Sequence, residues 1–250
     1  MIKSEIKNNT GIIFLARPEK RNALNPELVE SLKNILSDYK INDEIKSIII
    51  TGEGNSFCAG ADLEYLNSLS TNSTIENYND TKSLAELFLM IYGYPKPTIA
   101  AVNGAAIAGG CGLASVCDFI IAHPEKSKFG YSEVKIGFIP AIVSIFLIKK
   151  VGEGLAKQLL LEGEIISGSR AYEIGFVNYL SENVLDDSIS LADRLNKNSV
   201  ESLRITKQMI NNISNLSVQE AVDYCVGLNT ISRATKDFKI RIENFLNKDK

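Results

Sequence analysis

The stretch from Lys96 to Asp118, KPTIAAVNGAAIAGGCGLASVCD, constrains the fold of this chain more than any other. Thr98 to Val102 is a short apolar run that reads as a buried strand. Asn103-Gly104 is turn chemistry, because both residue types tolerate positive φ. Ala105, Ala106, Ala108, Gly109 and Gly110 then carry almost no side-chain bulk. After Cys111, the spacing of Leu113, Val116 and Cys117 predicts a short buried helix. Asp118 closes it, and Phe119 to Ala122 forms another strand. A strand, a bare turn and a helix start leave unpaired backbone N–H groups around open space. With the positive end of a helix dipole, such groups can stabilise negative charge developing on an oxygen.

A second stretch answers to the first. Ser56 to Leu63, SFCAGADL, is another small-residue turn, placed after the strand Ser47 to Thr51 and the loop Gly52-Glu53-Gly54-Asn55. Two such turns could supply a two-donor oxyanion hole. The pair, AGAD and VNG…AGG, resembles the crotonase (enoyl-CoA hydratase/isomerase) superfamily, and the resemblance runs from RPEKRNALN at Arg17 to Asn25 through to the C-terminal helix. It implies an α/β fold, a spiral of ββα repeats with a C-terminal α-helical region that mediates trimers, often stacked as hexamers. The implied boundaries are 1–185 for the spiral core and 186–250 for the helical region. The implied substrate is an acyl-CoA thioester, with coenzyme A part of the substrate and no separate cofactor.

Residue by residue, the resemblance makes the N–H groups of Ala61 and Gly109 the donors to the thioester oxygen. Lys20 and Arg21 match the basic region near the coenzyme A phosphates. The backbone of Ala59, Ala61 and Leu63 matches the adenine-contacting stretch. Phe245 and Lys248 align loosely with an aromatic and a lysine that reach the coenzyme A of a neighbouring subunit. If so, oligomerisation completes the site.

Hydratases of this family typically carry two glutamates. Glu133, in Gly130-Tyr131-Ser132-Glu133-Val134, matches one of them. Where the other is expected, after GGC, this chain has Gly112, which can neither orient a water nor move a proton. Glu133 therefore carries the acid–base argument alone. A glutamate beginning a helix after a cap such as Ser132 is ordinarily just stabilised by the dipole. The family match, and the adjoining apolar Val134, Ile136 and Phe138, favour a partly buried general base with a raised pKa. Tyr131 reads as pocket wall, with an auxiliary donor as the sharper alternative.

One glutamate suffices to move a double bond from the 3- to the 2-position, and hydration must in addition activate a water. The segment Gly130 to Val143 is similar to a bacterial subgroup described as enoyl-CoA or methylglutaconyl-CoA hydratases. Hydratase is therefore placed ahead of isomerase. A catalytically weak coenzyme A-binding or scaffold protein is the non-enzymatic alternative, and decarboxylation and thioester hydrolysis use the same kind of hole.

The remaining features bound these readings. A 250-residue chain that is 45% hydrophobic and 23% charged can bury a sizeable core. A net charge of −3 gives no support for a nucleic-acid surface. No apolar run approaches the ~20 residues of a membrane span, and the N-terminus lacks an apolar leader, so a cytoplasmic protein is expected. Cys58, Cys111, Cys117 and Cys225 show no CxxC spacing, and with His123 the single histidine no zinc pattern assembles. Three of the cysteines read as reduced packing residues, and His123 as a solvated loop residue.

In chain order, strands are expected at Ile2 to Ile6, Ile12 to Ala16, Ser47 to Thr51, Lys128 to Tyr131 and Phe176 to Tyr179. Asn25 is expected to cap a helix opened by Pro26, and Asp62 one that begins with Leu63. Polar Thr71 to Asn79 is expected to be a mobile loop, followed by a helix from Asp80 to Tyr92. Two helices should meet at Gly152, and Ser167 should cap a short one. After Leu185 the pattern is helical only. Strand–helix alternation followed by helices alone predicts an α/β core with a helical tail.

Overall fold

The computed structural model describes residues 1–248, Lys248 by its backbone only. The chain opens with β1 (Ile2–Lys7) and β2 (Thr10–Leu15), joined through Asn8 and Asn9, both at positive φ. Helix α1 (Pro26–Ile41) starts as its sequence dictates: Pro26 occupies the first position, and Asn25 Oδ1 accepts from Leu28 N–H at 2.9 Å. There follow β3 (Ser47–Gly52), β4 (Ser56–Cys58), α2 (Leu63–Ser68), α3 (Thr74–Tyr92), β5 (Thr98–Val102), β6 (Ala105–Ile107) and α4 (Gly109–Ser115). Next come β7 (Phe119–Ala122), β8 (Lys128–Gly130), α5 (Ala141–Glu162), β9 (Ile165–Ser167), α6 (Gly168–Glu173) and β10 (Tyr179–Leu180). Helices α7 (Val184–Asn196), α8 (Val200–Ile213), α9 (Val218–Ala234) and α10 (Lys236–Lys248) complete the described chain.

The strands form two sheets, β1-β2-β3-β5-β7-β10 and β4-β6-β8-β9. In the larger sheet only β1 and β2 are antiparallel, and in the smaller only β8 and β9. Each of β3, β5 and β7 is followed by a strand of the small sheet and then by helix. The chain therefore turns repeatedly through β3–β4–α2, β5–β6–α4 and β7–β8–α5, which is the ββα spiral. Every switch from large to small sheet places a turn at the carboxyl end of a buried parallel strand, where α/β folds collect their ligands.

The large sheet is buried on both faces, as its continuous apolar strands require. Ile13, Leu15, Ile48, Ile50, Ala100, Val102 and Ile120 pack toward α1, α3 and α4. Ile12, Ile49, Ile99, Ala101 and Ile121 meet Val184, Ile189, Leu191 and Ala192 of α7. At roughly 1.5–3 kcal/mol per buried large apolar side chain, α7 is integral to the sheet. No helix among the described residues is long and apolar enough to cross a membrane.

Several expectations need correction. Thr71 to Asn79 is not a loop: α3 begins at Thr74, because Ser73 and Glu76 form a reciprocal capping box that starts the helix early. Phe176 to Tyr179 is not a strand throughout. Only Tyr179–Leu180 pairs, while Phe176 and Val177 are buried unpaired. Strands β4, β6 and β9 lie where a turn or nothing was read, three residues being too few to show alternation. The expected break at Gly152 is present (φ 77°, ψ 166°), and Ser167 does cap α6.

His123 is not solvated. It is 6% exposed, its Nδ1 accepts from the N–H groups of Glu125 and Lys126, both at 3.1 Å, and its Nε2 lies 2.8 Å from Glu182. It folds the β7–β8 loop onto itself. Cys58, Cys111 and Cys117 are buried free thiols, each pushed up to about 12 by desolvation.

Candidate active site

The first wall of the site is the turn after β4. Ala59 N–H donates to the Arg21 carbonyl (3.0 Å), Leu24 N–H to that of Gly60 (2.7 Å), and Asp62 N–H to that of Leu24 (2.8 Å). The turn is thereby stitched to residues 21–24, and Ala61 N–H is the donor it leaves over. Gly60 sits at φ +89°, a conformation that other residues adopt only with strain. Asp62, buried at 7% exposure, caps α2 through Oδ1, which accepts from Glu64 and Tyr65 N–H. Its Oδ2 meets the buried Arg17 guanidinium at 2.9 Å, and that hydrogen bond holds the carboxyl below its ordinary pKa. Arg17 Nη1 also donates to Ala23 O (2.5 Å). This ion pair spans 45 residues, which is why reading along the chain did not find it.

The second wall is the turn into α4. Ala108 N–H donates to Gly130 O at 2.7 Å, and Ala108 is held at φ 50°, ψ −120°. Gly109 begins the helix, so its N–H has no intrahelical partner. The two turns touch. A Cβ on Gly60 would lie 3.5 Å from Gly109 N, and one on Gly110 only 2.0 Å from Cys58 O. Bare residues are therefore required for the walls to meet. Among the described residues, neither Ala61 N–H nor Gly109 N–H donates to another protein group. Two free donors therefore lie on turns that touch.

Glu133 follows from the same strand that holds Ala108, three residues beyond Gly130. It opens a 3-10 turn (Glu133–Ile136) that Gly137 ends at φ 74°. Two carboxyls are buried among the described residues. Asp62 is paired with Arg17, whereas Glu133, 7% exposed, has its Oε2 without a partner. Desolvation raises its pKa. A glutamate merely resting on a helix dipole would shift the other way, and Ser132 makes no side-chain cap. Val134, Ile136 and Phe138 are 37%, 64% and 51% exposed, so they are not what buries it. Tyr131 is fully buried, its hydroxyl without a partner, and it lines a small pocket with Cys111, Phe129, Leu159, Ile166 and Phe176.

Lys20, Arg21, Ala59, Ala61 and Leu63 gather on the rim of the first wall. Lys20 Nζ is 2.8 Å from Glu64, Arg21 is exposed, and Leu63 is 69% exposed. Phe245 is not brought to this rim. It stands 66% exposed on α10, which packs on α9. The side chain of Lys248 lies outside the described residues.

The family profile described as enoyl-CoA hydratase/isomerase matches residues 5–250. The chain belongs to this family. A Thermus thermophilus protein named as a candidate enoyl-CoA hydratase is 39% identical, over 97% of this chain and 96% of its own. A crotonyl-CoA hydratase of Syntrophomonas wolfei is 32% identical, over 98% and 95%. The crystal structure of an enoyl-CoA hydratase from Polaromonas sp. JS666 superposes with a TM-score of 0.94 at 32% identity, covering 99% of this chain and 97% of that one. The crotonase fold of this chain is thus the α/β architecture of hydratases of that family, matched end to end.

Proposed function

We propose that this protein is an enoyl-CoA hydratase in which one carboxyl, Glu133, carries the protons. The observation that carries the reading is a buried carboxyl with a raised pKa and one unpartnered oxygen, three residues beyond the strand whose Gly130 carbonyl fixes Ala108, the neighbour of the free Gly109 N–H. The thioester oxygen of a 2-enoyl-CoA accepts from Ala61 and Gly109 N–H. Water oxygen bonds to C3 as the C2=C3 π bond breaks, and the electrons move to the thioester oxygen as an enolate. Glu133 takes the proton that water loses and delivers it to C2 as the enolate collapses. Removing one donor of such a hole costs about 3 kcal/mol in other enzymes.

Lys20 and Arg21 are the proposed partners of the coenzyme A phosphates, and the backbone of Ala59, Ala61 and Leu63 the adenine contacts. Phe245 and Lys248 are assigned to a neighbouring subunit's coenzyme A within a homotrimer or a hexamer of two trimers. This assigns 1–185 to the site and 186–250 to assembly. No separate cofactor is invoked, and buried free thiols suit a reducing, cytoplasmic setting.

Gly112 favours a second reading: with one carboxyl, Glu133 could instead take a proton from C2 of a 3-enoyl-CoA and return it at C4. Purified protein offered crotonyl-CoA and a 3-enoyl-CoA separates the two. Loss of the conjugated thioester absorbance, abolished in Glu133→Gln, is the expected result. Its appearance from the 3-enoyl substrate, with crotonyl-CoA untouched, replaces hydratase by isomerase.

A further inference from the structure

We propose that Val143 is a specificity-determining residue of this site, acting through Gly112 opposite it; the proposal builds on the role given to Glu133. Gly112 lies one helical turn beyond Gly109 in α4. A Cβ placed on it would fall 2.3 Å from Val143 Cγ1, 3.1 Å from Val143 Cβ and 3.0 Å from Phe88 Cε2. Carbon atoms in contact stand about 3.5–4.0 Å apart, so no larger residue fits at 112 while Val143 is in place.

The wall cannot give way behind Val143. Val143 is 5% exposed and Phe88 fully buried. Phe88 meets Phe146 edge-on (ring centroids 6.2 Å), and Phe146 in turn meets Tyr92 at 5.4 Å. Val143 stands in the first turn of α5, ten residues after Glu133. One short segment therefore brings in both the working carboxyl and the methyl group that keeps a second carboxyl out. The space that a side chain at 112 would enter is apolar and filled. Gly112 is thus half of a size-matched pair, and Val143 decides between one-carboxyl and two-carboxyl chemistry.

Two sets of variants test this. In the first, Gly112→Ala and Val143→Ala are compared singly and together by thermal unfolding. Each single change should lower Tm, and the double should recover most of the Gly112→Ala loss, since contacting residues couple. Simple addition of the two losses overturns the pairing. In the second, Gly112→Glu is compared with Gly112→Glu/Val143→Gly on crotonyl-CoA and a 3-enoyl-CoA. Gly112→Glu should fold poorly. The double variant should fold, raise the ratio of hydration to isomerisation at least tenfold, and add a second limb to the pH profile of kcat/KM. A Gly112→Glu protein with wild-type Tm, or a folded double variant with unchanged ratio and profile, overturns the proposal. Wild-type protein inert on both thioesters fails the role of Glu133 instead, so the two failures are distinguishable.

Discussion

Glu133 and Asp62 are both buried carboxyls, yet their surroundings push them in opposite directions. Glu133, desolvated and with its Oε2 unpartnered, binds its proton more tightly folded than unfolded. Stability therefore falls as pH rises from the ordinary glutamate value of 4.5 through the folded value, and stays lowered above it. Glu133→Gln cannot ionise. Its Tm should exceed wild type by a few degrees at pH 7.5, the gain shrinking as pH approaches 4; a lower Tm at pH 7.5 would mean that the carboxylate is partnered. The same variant should lose about 10²-fold or more in turnover, with thioester binding largely kept. Asp62 carries the opposite sign: its contribution is present above the ordinary aspartate value of 3.8 and fades as pH falls through its lowered folded value. Arg17→Met would leave that charge buried without its cation, held only by the N–H groups of Glu64 and Tyr65, at a cost of about 3 kcal/mol. Thermal scans at pH 7 should show a fall of the order of 10 °C, narrowing below pH 4 as Asp62 is protonated.

At the scale of elements, the site depends on two turns touching. Gly110→Ala would drive a methyl into Cys58 O, where only 2.0 Å is available. The turns must part, so we expect lowered Tm and loss of turnover by two orders of magnitude or more, read by calorimetry and a crotonyl-CoA assay. A variant with wild-type kinetics would show that the walls need not meet. These turns were legible in the sequence because bare residues, turn dipeptides and caps act locally: Asn25, Asp62, Ser167 and Gly152 do what their types dictate. What escaped was decided at a distance or by too few residues. The Arg17–Asp62 pair joins positions 45 apart, and β4, β6 and β9 are three residues long. His123 is held by the N–H groups of its own loop and lies 2.8 Å from Glu182, which a polar string such as His-Pro-Glu-Lys does not announce. Ser73-Thr74-Ile75-Glu76 has the spacing of a capping box, a local signal that the polar run around it masks. Glu133 was found through its motif, but the apolar residues beside it turned outward.

At the scale of the whole molecule, the helices after the sheet divide into two groups. Helix α7 closes the second face of the large sheet and belongs to its core. Helix α9 has no buried residue, and Val218, Val222 and Val226, four apart along one face, are 83%, 50% and 59% exposed. Phe238, Ile242 and Phe245 make a similar stripe on α10, at 40%, 43% and 66%. Helix α10 is tied to the rest: Asp237 accepts from Ser199, and Arg241 donates to the carbonyls of Lys197 and Asn198. A pair of helices with apolar stripes facing outward is the surface on which the proposed trimer would form. Replacing Val222 and Val226 by Asp puts charge on that stripe without touching the core. Light scattering should show the wild type at three or six times 27.4 kDa and the double variant as a single chain. If Phe245 reaches a neighbour's coenzyme A, the dissociated variant should also bind crotonyl-CoA at least tenfold more weakly. A wild type that runs as a single chain, or a dissociated variant with unchanged affinity, would confine the site to one subunit.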